Sequence, residues 1–240
     1  MGTINQQKKG IFILVLIAIA TIIIWQIPYG KYILYPFTIL GIWFHEMGHG
    51  IAALLLGAGL YEIQIHPEGY GFARHSTDAL FGNFGLAFIA AGGPIGPTIA
   101  GFLLIISSKG IKAVNIALFL LSLLLVISLI FWIRNFTGIL MILAFAGLFI
   151  IILTKGKDEL RRLTIQFLGI QAFASVYLSI GYLYSNSASI GDSSFMSDTE
   201  YMSRYLLLPH WFWASILILF SIFMLYKSLK IAYTYSNGQK

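Results

Sequence analysis

Two histidines and a glutamate lie within about one helical turn of an otherwise apolar segment. The segment, residues 41–57, reads GIWFHEMGHGIAALLLG and places His45 and His49 four residues apart. On an α-helix this spacing puts both imidazoles on one face, as two ligands of a zinc ion require. Glu46 is rotated by about 100° from His45, so it suits a water at the metal better than the metal itself. The H-E-x-x-H pattern therefore predicts a zinc site with Glu46 as the general base.

The composition indicates that this segment lies in a membrane protein. Hydrophobic residues make up 58% of the 240-residue chain and charged residues 10%, whereas soluble domains have about 25% charged residues. A helix needs about 20 apolar residues to cross the hydrocarbon core. Apolar runs lie at about 11–27, 33–58, 82–107, 111–133, 137–154, 163–184 and 209–231. We predict an all-α polytopic integral membrane protein with about six to seven transmembrane helices, multi-pass and located in the cell membrane.

The net charge of +6 reflects orientation in a bilayer rather than nucleic-acid binding. The basic residues lie in short connections between apolar runs and form no basic face, so we predict the lipid bilayer as a partner and no nucleic acid. The positive-inside rule favours a cytoplasmic location for the connections around residues 109–112 and 155–162, together with Lys31 and the C-terminal lysines. Lys8 and Lys9 oppose this orientation, and a change of one span would invert it.

Two segments do not follow the pattern of a membrane span. Residues 60–75, LYEIQIHPEGYGFARH, alternate apolar and polar side chains around a turn at Pro67 to Gly69, which predicts a short β-hairpin after the zinc-binding helix. Residues 185–208 form the longest polar interval and are rich in serine. Long loops of this kind are often functional or flexible. We expect a single membrane-embedded domain over 1–240, with its core at about 35–215.

Ionisable groups inside membrane helices also have simpler explanations. A single intramembrane histidine commonly forms a hydrogen bond between helices, which suits His210 and is an equal alternative for His66 and His75. Three ionisable groups within one span cost several kcal/mol unless a site compensates for them. A bis-histidine haem would need ligands on opposite faces of its ring, which one helical turn does not offer. The zinc interpretation of HEMGH is therefore favoured.

Several segments resemble the site-2 protease family of intramembrane zinc metalloproteases. FHEMGHGIAALLLGAG is similar to the zinc-binding helix of that family, the hairpin to its membrane-associated β segment, and AAGGPIGPTIAG at 90–101 to its small-residue helix. WIRNFTG at 132–138 and SDTEYMSRYLLLPHWFW resemble a branch of small polytopic B-type members. The resemblance covers most of residues 35–215 and implies a zinc metalloprotease. Of these motifs, the H-E-x-x-H pattern has high specificity and the others support it.

The third metal ligand is less well defined by the sequence. The chain has no cysteine, so a carboxylate must complete the site, yet it lacks the Asp-Gly motif in which many family members carry that ligand. Asp198, in MSDTEY, matches the Ser-Asp motif of the B-type branch, and the resemblance implies that it joins His45 and His49. An N-cap of a short helix is an alternative role for Asp198. Asp192 and Glu200, in the same loop, remain alternative ligands.

The function implied by these residues is hydrolysis of peptide bonds in transmembrane or membrane-proximal protein substrates. Zn²⁺ would activate water, Glu46 would take its proton, and an unwound substrate segment could pair with an edge strand of the hairpin. Asn135 could donate a hydrogen bond to an oxyanion or to the substrate, or it could cap a helix. The glycines and prolines at 92–97 are expected to allow close helix packing. A non-proteolytic metal-binding scaffold and a transporter with a proton relay remain alternative functions.

Overall fold

A computed structural model describes residues 2–190 and 193–234 as a mostly helical chain with two short strand pairs. Asp192, one of the candidate ligands, lies outside the described residues. The longer helices are joined by short turns, apart from two longer connections that carry the strands. The elements are α1 Gly2–Gln26, α2 Gly30–Leu55, β1 Leu60–Ile65, β2 Gly71–His75, α3 Asn83–Ser107, α4 Ile111–Phe131, α5 Phe136–Lys155, α6 Asp158–Leu178, α7 Ile180–Leu183, β3 Ser187–Ile190, β4 Ser193–Met196, α8 Asp198–Tyr205 and α9 His210–Thr234.

The described residues contain four or five candidate membrane spans. Among the described residues, α3, α4, α5 and α9 are each long and apolar enough to cross a membrane. A fifth span results if α1 and α2 count together, since a bend of 120° separates them at a short break. Helix α6 is not among the candidate spans, and the charged residues Asp158 and Glu159 in its first turn lower its hydropathy. The chain is thus a multi-pass membrane protein, while six to seven spans are not confirmed and one domain over 1–240 stays a prediction.

Small residues bring α2 and α3 into backbone contact. A Cβ atom built on Gly48 would collide with the carbonyl oxygen of Gly92, and one on Gly96 would lie 2.5 Å from the carbonyl oxygen of Phe44. Side chains at these positions would push the helices apart. The predicted role of the glycine-rich segment is confirmed, and α2, the helix of the HEMGH motif, packs directly against α3.

The predicted β-hairpin is present and is attached to the rest of the molecule. Strands β1 and β2 pair antiparallel, with Ile63 opposite Ala73. On its other side, β1 meets the α4–α5 connection: the Ile63 N–H donates to the Trp132 carbonyl at 2.8 Å, and the Arg134 N–H donates to the Ile63 carbonyl at 3.2 Å. Strand β1 is therefore paired along both sides, which leaves β2 as the edge strand.

The polar interval 185–208 contains more secondary structure than its sequence indicates. Strands β3 and β4 form a second antiparallel pair, and α8 follows directly. The serine-rich sequence lacks the alternation of apolar and polar residues that identified the first hairpin. Asp198, the predicted third ligand, is therefore the first residue of helix α8 and does not lie in an irregular loop.

Candidate metal centre

His45 and His49 of α2 converge on Asp198 of α8. The Nε2 atoms of the two histidines lie 3.3 Å apart. Asp198 Oδ2 lies 3.0 Å from His45 Nε2, and Asp198 Oδ1 lies 3.3 Å from His49 Nε2. Among the described residues, these three side chains form the group whose ligand atoms are close enough to hold one metal ion.

The hydrogen bonds around His49 direct its free nitrogen towards the other two groups. His49 Nδ1 lies 2.7 Å from the carbonyl oxygen of Ile89, which can only accept, so Nδ1 carries a proton. In the neutral ring Nε2 then presents a lone pair, and a carbonyl in this position is a common outer partner of metal-binding histidines. Asp198 Oδ2 is buried, and its polar neighbour among the described residues is His45 Nε2 at 3.0 Å. Electron-rich atoms therefore face one another, an arrangement that calls for a cation.

The dimensions of the cluster fit a zinc ion. Two ligands of a tetrahedral Zn²⁺ at about 2.0–2.1 Å are about 3.3 Å apart, which is the separation of the two histidine Nε2 atoms. One ligand oxygen of Asp198 lies within 4.8 Å of both nitrogens. Gly93 of α3 lies beside the same nitrogens. A Cβ atom built on Gly93 would lie 2.6 Å from His45 Nε2 and closer still to His49 Nε2. The missing side chain therefore leaves a space next to both ligand nitrogens.

Asp198 is held at the site by the residues around the start of α8. Ser197, not Asp198, is the N-cap, because the Ser197 hydroxyl accepts the Glu200 N–H at 3.2 Å. The Asp198 N–H donates to the Tyr182 hydroxyl at 3.2 Å, and the Thr199 hydroxyl donates to the Leu183 carbonyl at 2.5 Å. These contacts position α8 against α7, and the Asp198 carboxylate then points towards His45 and His49.

The Asp198 carboxyl group is ionised in this environment. Burial raises its pKa, but the positive charge that His49 and His45 carry when they are protonated, in the absence of metal, outweighs burial and holds the pKa below its ordinary value. An ionised carboxylate is the form that binds metal. Glu200 Oε1 instead lies 3.1 Å from Arg204 Nε, and Glu200 Oε2 lies 3.9 Å from His210 Nδ1. The Glu200 carboxylate therefore pairs with these two residues and not with His45 and His49.

Glu46 is buried beside the cluster, under the edge strand of the hairpin. The Ala73 N–H of β2 lies near the Glu46 carboxylate, and a Cβ atom built on Gly71 would lie 2.9 Å from Glu46 Cγ. Glu46, the two histidines and Asp198 line a cavity of about 650 Å³, together with β2, part of α2 and the end of α6. The carboxylate thus has access to a space large enough for a peptide segment.

Comparison with protein families supports a peptidase. The family model described as Peptidase M50B-like matches residues 14–228. The chain belongs to the Peptidase M50B-like family. The predicted relationship to site-2 proteases is confirmed, and at the level of the family the chain is a membrane metallopeptidase of that type. No curated protein and no solved structure matches it.

One side chain that the sequence suggested for this M50B-like site has a different role. The Asn135 side chain donates to the Ile65 carbonyl at 2.5 Å and accepts the Ile65 N–H at 3.0 Å. The amide oxygen and one of the two amide N–H groups are occupied by β1, so Asn135 serves the pairing of β1, and its suggested bond to an oxyanion or a substrate stays a prediction. The capping role is absent, since the Asn135 side chain makes no cap hydrogen bond to α5. Asn135 extends the pairing of β1 instead.

The remaining histidines divide between the cavity and its surroundings. His75 lines the cavity. His66 stacks on Tyr70 with ring centroids 4.5 Å apart, and His210 lies near Glu200. Sequence reasoning missed Gly93 and Tyr182 as site residues. The small-residue run AAGGPIGP signalled close packing there, but no pattern identifies which glycine meets the histidines, and nothing in the sequence singles out Tyr182.

Proposed function

We propose that this M50B-like protein is an intramembrane zinc metalloendopeptidase acting on transmembrane or membrane-proximal protein substrates. The observation that carries the proposal is the convergence of His45, His49 and Asp198 at 3.0–3.3 Å beside the buried Glu46. Membership of a membrane metallopeptidase family supports it. A proton relay would distribute its groups along a path through several helices, whereas these four groups surround one point.

The residues divide the chemistry between them. His45, His49 and Asp198 would hold the metal, and a zinc ion there would supply Lewis-acid chemistry that polarises a peptide carbonyl and makes a neighbouring water more acidic. Glu46 accepts a proton from that water at its carboxylate and then delivers it to the nitrogen of the leaving amine.

The edge of β2 provides a place for the substrate backbone. The backbone groups of Ile63 and Ile65 in β1 form hydrogen bonds with residues 132–135. The residues that alternate with them, Glu62 and Gln64, therefore direct their backbone groups towards β2. Their partners are Arg74 and Phe72, so Gly71 and Ala73 direct their backbone groups away from β1. Beyond the bulge between Leu60 and Glu62, the Ser76 N–H donates to the Gly59 carbonyl, so His75 lies between two residues that face β1 and directs its own backbone groups away from it. A membrane helix has its backbone bonds satisfied internally and must unwind before it is cut. The unwound segment adds to β2 as a further strand.

The proposal is tested with Glu46→Gln. Loss of the proton acceptor is expected to lower cleavage by at least about 100-fold while zinc content stays near one per chain. Zinc content of the purified protein is measured by mass spectrometry, and cleavage is followed with single-span model proteins in proteoliposomes. Glu68→Gln, the same change at the exposed tip of the hairpin, is the matched control and should cleave normally.

Two outcomes would contradict the proposal. Normal cleavage by Glu46→Gln would remove the general base from the mechanism. Bound zinc without cleavage of any substrate by the wild-type protein would favour the metal-binding scaffold.

A further inference from the structure

The Tyr182 hydroxyl group lies beside the metal centre. Tyr182 belongs to α7 and lines the cavity together with His45, His49 and Asp198. The Asp198 N–H donates to this hydroxyl at 3.2 Å, and the Tyr182 ring stands edge-on to the His45 imidazole, with ring centroids 6.5 Å apart. A polar group of the cavity wall is therefore next to two of the three proposed metal ligands, although it takes no part in the proposed proton transfers.

The Tyr182 hydroxyl has a hydrogen that it can donate. A tyrosine hydroxyl both accepts and donates hydrogen bonds, and it is protonated at neutral pH. Its oxygen accepts the Asp198 N–H, which leaves the hydroxyl hydrogen for another acceptor. The Asp198 carboxylate lies near the hydroxyl and can take this hydrogen bond before the reaction. An oxyanion that forms in the cavity carries new negative charge and attracts the same donor.

Several other polar side chains near the cavity are already engaged. The hydroxyl groups of Thr38, Ser175 and Ser179 each donate to a carbonyl of their own helix, at 2.8–3.3 Å. Asn135, the donor suggested by the sequence, bonds to β1 and does not line the cavity. Compared with these side chains, Tyr182 combines a place in the cavity wall with a hydroxyl that contacts a proposed ligand.

Glu46 and Tyr182 border the cavity from different elements. Glu46 lies under β2, near the Ala73 N–H, whereas Tyr182 lies on α7 and contacts the first residue of α8. Both side chains line the same cavity, so a substrate segment that pairs with β2 would lie between them. Its scissile carbonyl would then have a proton acceptor in one wall and a hydrogen-bond donor in another.

We propose that Tyr182 is a catalytic residue whose hydroxyl donates a hydrogen bond to the oxygen of the scissile carbonyl. The inference rests on the proposed function. As the water oxygen bonds to the carbonyl carbon, the proton of the water passes to Glu46 and the π electron pair moves to the carbonyl oxygen, while Tyr182 keeps its own proton. When the carbon–nitrogen bond breaks, the carbonyl re-forms and the amine takes the proton from Glu46. A donor that is already in place stabilises the developing charge without reorganisation.

Tyr182→Phe removes the hydroxyl and retains the ring. Loss of one oxyanion donor is expected to lower kcat by about 100- to 1,000-fold with little change in KM. Tyr177→Phe, the same change at an exposed position of α6, is the matched control and should cleave normally. Zinc affinity is measured by competition with a chelator, which requires no cleavage. It should fall by less than the factor of about 10 that is typical of a lost outer partner.

A substrate-like inhibitor gives a second measurement. A peptide with a phosphinate in place of the scissile amide carries a tetrahedral, negatively charged group permanently and so resembles the transition state. Its affinity for Tyr182→Phe should fall by the same factor as kcat/KM, and an unchanged affinity would overturn the inference.

The outcomes separate this inference from the proposed function. Normal kcat in Tyr182→Phe would reject the role of the hydroxyl and leave the protease function intact. A fall in zinc affinity that matches the fall in activity would make Tyr182 a positioning residue for Asp198 and would also overturn the inference. Bound zinc without cleavage by the wild-type protein would reject the protease function, and the role of Tyr182 with it.

Discussion

At the scale of single residues, the site depends on side chains that face the two histidines from other elements. The Ile89 carbonyl sets the proton position on His49, and the Tyr182 hydroxyl accepts the backbone N–H of Asp198. Partners of this kind orient metal ligands and commonly change metal affinity by about 10- to 100-fold. Gly93 differs from them because it contributes empty space, which a side chain would fill.

Gly93→Ala is expected to abolish zinc binding. Its methyl group would lie 2.6 Å from His45 Nε2 and even closer to His49 Nε2, so it would occupy the space beside the ligand atoms. We expect zinc affinity to fall by more than about 100-fold, beyond the usual range of outer-partner substitutions, as measured by competition with a chromogenic chelator. Gly147→Ala in α5 is the control, since nothing lies within 4 Å of its added methyl group. Full zinc content in Gly93→Ala would show that the metal lies elsewhere.

At the scale of elements, the first hairpin has one strand, β1, that is hydrogen-bonded along both sides, and one strand, β2, that forms the edge. Strand β1 is paired with β2 and with residues 132–135, and Asn135 continues that pairing past the end of the backbone contact. Strand β2 lies over Glu46 with its outer edge directed at the cavity. Main-chain groups along this edge would hold substrates of many sequences.

His75→Pro tests the edge of β2 and His75→Ala controls for the side chain. Proline removes the outward N–H and is tolerated at such positions of edge strands, whereas alanine retains the N–H. Loss of one backbone hydrogen bond, worth about 0.5–1.5 kcal/mol, is expected to lower kcat/KM by about twofold to tenfold in His75→Pro relative to His75→Ala. Zinc content should be equal in both variants. Equal kcat/KM values would argue against strand addition at this edge.

At the scale of the whole molecule, a metal ion would join two parts of the chain that are distant in sequence. His45 and His49 belong to the second helix, while Asp198 begins α8 after the bundle of α3 to α6 is complete. Contacts of Ser197 and Thr199 with residues 183–185 position α8. Without a cation, the three ligands would lack the attraction that holds α8 against α2.

Zinc is therefore expected to stabilise the folded protein. At a free concentration about 100 times its Kd, a ligand adds about 2.7 kcal/mol, which corresponds to about 5–10 °C in Tm for a chain of this length. Thermal unfolding in detergent is compared with zinc and with a chelator. Asp198→Ala should lose this difference, and Glu200→Ala should retain it because Glu200 pairs with Arg204. Retention of the difference by Asp198→Ala would exclude Asp198 as the third ligand.

Features that depend on neighbours in the chain were determined by the sequence itself. Helical periodicity alone places His45 and His49 on one face, and alternation of apolar and polar residues defines the first hairpin. The glycine-rich segment likewise indicated close packing of α3. These features follow from backbone geometry over a few residues, which is why they could be predicted.

Features that depend on distant contacts were decided only by the tertiary structure. The sequence left three carboxylates as possible third ligands, and the folding of α8 against α7 brings Asp198 to the histidines. The occupied amide of Asn135 and the space beside Gly93 likewise arise from contacts between elements far apart in the chain. Hydropathy treats α1 and α2 as two separate segments and does not reveal the 120° bend that makes them one candidate span. Hydropathy and spacing describe each segment by itself, whereas the metal centre exists only where α2, α3 and α8 meet.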